Sequence, residues 1–100
     1  MDLTPQKTLG HWLLDVLGEN GGKASKHAAL KLMEEKYGER LTADDRLAQP
    51  SNEETKWENQ TAWERNNLVK SGFLQTPDEA GFGVWALTEL GWKVYRSRAT

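Results

Sequence analysis

A chain of 100 residues with 37% hydrophobic content and a net charge of −2 suits one small domain, without a deep catalytic interior or a broad basic field for capturing phosphates. Zero cysteines exclude disulfides, thiolate catalysis and cysteine-ligated zinc, leaving the hydrophobic core to supply stability. No run approaches the roughly 18 apolar residues needed to span a bilayer, and Met1-Asp2-Leu3-Thr4-Pro5 lacks the basic-then-apolar pattern of a secretory signal, so a cytoplasmic protein with no membrane partner is expected.

The first element is a helix capped by Thr8, in which Leu9, Trp12, Leu13, Val16 and Leu17 form one apolar stripe and Gly18-Glu19-Asn20-Gly21-Gly22 ends it. Lys23-Ala24 has the length of a very short strand, although two residues do not establish one. Ser25 caps a second helix through about Tyr37, with Ala28, Ala29, Leu32 and Met33 inward, Lys26, Lys31, Glu34 and Glu35 outward, and Gly38 as its stop. A capping-type Thr42 before Ala43-Asp44-Asp45-Arg46-Leu47-Ala48 predicts a short helix, which Pro50-Ser51-Asn52 breaks.

A third full helix is predicted from about Glu54 to Ser71, with Trp57, Thr61, Ala62, Leu68 and Val69 at helical spacing and Ser71-Gly72 as its end. Phe73-Leu74-Gln75-Thr76 reads as the start of a strand. Pro77 to Gly83 supplies turn chemistry, and Val84-Trp85-Ala86-Leu87-Thr88 alternates as a second strand. Thr88 then caps a terminal helix to about Arg98, with Leu90, Val94 and Tyr95 near one side. The expected fold is therefore α+β, a winged helix-turn-helix that is mostly helical with a small antiparallel β-hairpin, in a single domain over 1–100.

Trp57, Trp63, Leu68, Gly72, Phe73 and Leu74, followed by Gly83-Val84-Trp85-Ala86-Leu87-Thr88-Glu89-Leu90-Gly91, resemble the amino-terminal domain of Mrr-type restriction endonucleases. Residues 57–91 carry the specific match, and the earlier helices follow the family in order more than in residues. The resemblance implies a winged-helix DNA-binding module that guides a separate nuclease domain to its target. Two positions depart from the family pattern. Glu64 follows Trp63 where a small Ala is usual, and Phe82 precedes Gly83 where a basic residue is common.

The side chains of the third helix best suited to base edges or phosphates are Lys56, Asn59, Gln60, Arg65, Asn66 and Asn67, since Asn and Gln pair bidentately with adenine and Arg with guanine. Lys23, Lys26, Lys70, Arg96 and Arg98 are the further candidates for phosphate contacts. Glu58 and Glu64 would repel phosphates unless they accept from a cytosine amine or pair with Lys56 or Arg65. The wing from Thr76 to Gly83 has Asp78 and Glu79 and no cation, and Phe82 is expected to fold back onto the core. Of the 5 tryptophans, Trp12 lies on a helix stripe, Trp57 and Trp63 flank the inner side of the third helix, Trp85 sits in a strand and Trp92 begins the last helix, so most are expected to build the core and at most one or two to be free for a ligand.

His11 and His27 lie on different helices without a paired carboxylate at ligand spacing, so no metal or other cofactor is expected. No nucleophile turn or phosphate loop marks a catalytic site, and neither an enzyme activity nor a small-molecule substrate is expected. Two readings remain. One is a DNA-binding module with double-stranded DNA as partner; the other is a protein-interaction module with an acidic helix face, whose partner is another protein or a second copy joined through Val94 and Tyr95.

Overall fold

The computed structural model describes residues 2–50 and 53–99. In chain order it contains α1 (Gln6–Glu19), β1 (Lys23–Ser25), α2 (Lys26–Tyr37), a 3-10 turn (Gly38–Arg40), α3 (Lys56–Lys70), the short α4 (Pro77–Ala80), β2 (Val84–Ala86) and α5 (Glu89–Ala99). The arrangement is mostly helical with one two-stranded antiparallel sheet, a winged-helix-like α+β fold. No helix among the described residues is long and apolar enough to cross a membrane.

α1 is the hub because its apolar residues form a stripe wide enough to face several neighbours. Leu9, Leu13, Leu14, Val16 and Leu17 are all essentially inaccessible, so α2, α3 and α5 each pack on it. The helix starts earlier than expected. Pro5 precedes its first turn without a side-chain cap, and Thr8 lies inside it. The segment before it is held instead by Asp45, which accepts from the Thr4 N–H at 2.8 Å and the Thr4 hydroxyl at 2.6 Å. Trp12 stacks on Tyr37 of α2 with ring centroids 4.6 Å apart.

Ser25 caps α2 as the sequence implies, its Oγ accepting from the Ala28 N–H at 3.1 Å. Gly38 caps the carboxyl end of α2 as the sequence implies, and a 3-10 turn follows before the chain leaves. The expected helix over 43–48 forms only turns, with Arg46 N–H to Ala43 C=O and Leu47 N–H to Asp44 C=O as its bonds. Thr42 N–H donates to the Asp45 carboxylate and Asp45 N–H to the Thr42 hydroxyl, the capping pair that the sequence implies, but the chain goes no further than turns, and Asp45 is buried. The break expected at Pro50-Ser51-Asn52 falls partly on residues 51 and 52, outside the described residues.

The hairpin differs from the expected one. Phe73 to Thr76 forms no strand; Leu74 makes a single bridge to Leu87, and Gln75 N–H donates to Ala86 C=O at 2.8 Å. β2 pairs instead with β1, in the register Lys23 to Ala86, Ala24 to Trp85 and Ser25 to Val84. The Lys23-Ala24 pair is thus part of a true strand, and the sheet ties the front of the chain to its back. Between Thr76 and Val84 the expected turn contains α4, which Thr76 caps while Glu79 returns a bond to the Thr76 N–H. Thr88 caps α5, its Oγ1 accepting from Gly91 N–H at 3.0 Å.

The Asp45 anchor makes acid stability testable. Burial works to raise this carboxyl, but hydrogen bonds from Thr4 and Thr42 outweigh it and hold the group below its usual value of 3.8. A carboxyl depressed in the folded state contributes stability that is fully present above its unfolded pKa and is lost as pH falls through the lower folded one. Urea midpoints measured from pH 6 down to pH 2 should therefore show a wide gap between the wild type and Asp45→Asn that closes at the acid end. A gap of constant width would show that the Asp45 charge does not anchor the amino-terminal segment.

Candidate nucleic-acid interface

α3 begins after Thr55, whose N–H and hydroxyl both donate to the Glu58 carboxylate, at 2.9 and 2.8 Å. That fixes the Glu58 side chain at the helix start, where an acid is also favoured by the helix dipole. On the inner face Trp57, Thr61, Glu64 and Leu68 are buried, at positions three or four apart. The opposite stripe carries Lys56, Asn59, Gln60, Trp63, Asn66, Asn67 and Lys70, all of them partly or fully exposed.

Two expectations about α3 are corrected. Trp63 does not face the core; it is 59% exposed in the middle of the outward stripe. Glu64 takes the inward place, only 9% exposed, with its carboxylate accepting from Gln6 and Asn67 at 3.0 Å each. Gly10 of α1 makes the room: a Cβ there would stand 2.7 Å from Glu64 Cγ. A buried carboxylate needs such donors, because leaving it unpaired costs several kcal/mol in a typical interior. Neither Glu58 nor Glu64 therefore belongs to an acidic outward face of α3.

Arg65 lies on the flank between stripe and sheet. Its guanidinium covers the Trp85 ring at 5.8 Å, and burial holds its pKa below the ordinary arginine value. Its Nε is buried without a hydrogen-bond partner among the described residues, and one terminal nitrogen makes only a 3.4 Å contact to Asn66. A shallow groove runs beside it from Trp63 past Asn66 and Lys70 to Pro77 of α4.

Compared with family models, the chain matches the Mrr N-terminal domain over residues 7–97. The chain belongs to that family. Membership associates it with Mrr-type restriction systems. Neither the curated proteins nor the solved structures compared with it gave a match.

In this Mrr-type domain the remaining candidate cations are scattered. Lys26, at the start of α2, donates to Glu54 just ahead of α3, so its charge is already paired. Lys23 is exposed on β1 next to Gly22, against which the Trp92 ring packs, and Arg96 covers that same ring at 5.9 Å. These two belong with α5 and β1, away from the α3 stripe. Arg98 is bound to Asp15 at 2.9 Å, with Tyr37 donating to the same carboxylate.

Phe82 overturns another expectation. It is fully exposed at the wing tip, 101% of its reference area, instead of folding back onto the core. Gly81 and Gly83 on either side take φ of 101° and 75°, a region open to glycine and strained for other residues, so the backbone turns without bringing the ring inward. Hydropathy places both Trp63 and Phe82 inside. The glycines around Phe82 were the one signal in the sequence that it stands on a tight, projecting turn. Among the described residues no group of three or more His, Asp and Glu is arranged to hold a metal ion.

Proposed function

We propose that the chain is a DNA-binding module of an Mrr-type restriction system that lays α3 along the major groove of double-stranded DNA and acts by binding alone. One observation carries this reading: the outward stripe of α3 holds amides, a tryptophan and the lysines Lys56 and Lys70, while both acids of the helix are withdrawn from it. Lys56 and Lys70 sit at its two ends, about 21 Å apart at 1.5 Å per residue, a span suited to phosphates on both borders of a groove about 12 Å wide. The net charge of −2 is not carried by the stripe, whose charged residues are Lys56 and Lys70 alone.

Titration of the labelled domain with a duplex at low salt tests the reading. Resonances of Lys56, Gln60, Trp63, Asn66 and Lys70 should shift together, and the affinity should fall steeply with added salt. Absence of binding at low salt, with Phe82→Ser altering self-association, would favour the protein-interaction reading through the wing instead.

A further inference from the structure

We infer that α3 selects A·T base pairs, with Trp63 against the 5-methyl group of thymine and Gln60 and Asn66 on adenine. This rests on the major-groove reading above and names the substrate class that the stripe fits. In the major groove guanine is read by Arg or Lys and cytosine by Asp or Glu, whereas adenine suits Asn or Gln and the thymine methyl is the one apolar feature. The fold has sorted these residue types. Arg65 is laid on Trp85, Glu58 is turned to the helix start and Glu64 is buried, which removes from the stripe the arginine that would read guanine and the acids that would read cytosine.

The amides are not equivalent. Reading adenine takes both ends of the amide, the oxygen accepting from N6–H and the nitrogen donating to N7. Asn59 accepts from Gln49 through Oδ1 at 3.0 Å, and Asn67 donates through Nδ2 to Glu64 at 3.0 Å, so each amide is held in an orientation set by an internal bond. Gln60 has no hydrogen-bond partner among the described residues, and Asn66 has only the long contact from Arg65 at 3.4 Å. These two stand three residues before and three after Trp63. They neighbour it on the helix surface, each displaced by about 4.5 Å along the axis, near the roughly 3.4 Å rise of a base pair. The lysines at the ends are left for phosphates.

The test measures affinity for duplexes of one length with identical ends and either an A·T or a G·C core. It adds an A·T core with uracil replacing thymine, and one with 7-deazaadenine replacing adenine. The A·T core should bind on the order of tenfold tighter than the G·C core. Uracil and 7-deazaadenine should each remove several-fold of that advantage, since they change only the methyl and the N7 acceptor in the major groove. Trp63→Ala should abolish the difference between thymine and uracil while keeping the 7-deazaadenine effect, and the exposure of this ring keeps the variant folded. Equal affinity for A·T and G·C cores, or an A·T preference untouched by both analogues, overturns the inference and leaves the DNA-binding reading standing. Salt-insensitive or absent binding to every duplex overturns that reading as well.

Discussion

Gly91→Ala is expected to destabilise the domain by about 3 kcal/mol, lowering its melting temperature by roughly 15 °C for a chain of this size. Gly91 is buried in the first turn of α5, and a Cβ built on it stands 2.1 Å from the carbonyl oxygen of Phe73. The obstacle is backbone, held by the Thr88 N–H to Phe73 C=O bond at 3.1 Å, so it cannot swing aside as a side chain would. Alanine would otherwise be favoured in a helix by about 1 kcal/mol, and Gly91 is not among the glycines with positive φ, so the sign of the result is set by the steric term alone. Gly21→Ala provides the contrast. Nothing lies within 4 Å of its Cβ, but its φ of 78° is unsuited to alanine, and its cost should stay near 1 kcal/mol. Denaturant unfolding of both variants checks the ordering, and a Gly91→Ala protein within 1 kcal/mol of wild type would mean that α5 is not seated on Phe73.

The second large effect concerns DNA. Reversing both lysines of the stripe, Lys56→Glu with Lys70→Glu, should weaken duplex binding on the order of a hundredfold near 0.1 M salt and reduce the slope of log affinity against log salt by about two. The fold should tolerate the change. An acid at position 56 falls in the first turn of α3, where the helix dipole favours it, and the opposite effect at position 70 in the last turn is a fraction of a kcal/mol. Lys31→Glu, an exposed lysine on α2, serves as control and should change affinity little. A loss as large for Lys31→Glu as for the pair would mean that attraction to DNA is diffuse and that α3 has no special place in it.

Much of this architecture was legible in the chain, for local reasons. Ser25 and Thr88 cap the helices they were expected to cap, because each hydroxyl meets an N–H three residues ahead whatever the rest of the fold does. The apolar stripe of α1 and the inner positions Trp57, Thr61 and Leu68 of α3 follow helical spacing, and the segment from Trp57 to Gly91 carried the family likeness. Where the expectation failed, a partner distant in sequence was responsible. The pairing of Val84 to Ala86 with β1 was not legible because Lys23 to Ser25 lies far away along the chain, and the inward seat of Asp45 was not because its partner Thr4 is also distant in sequence.

The rotation of α3 shows the division most clearly. By itself the sequence determined that a helix runs from about residue 54 to 71 and that Trp57, Thr61 and Leu68 share a face, since both follow from a period of 3.6 residues and from the stop at Ser71-Gly72. Only the tertiary structure decided that Glu64 faces inward and Trp63 outward, against their hydropathies. The room left by Gly10 on α1 and the donors Gln6 and Asn67 make the buried carboxylate tolerable, and seating it there turns the adjacent tryptophan to the surface.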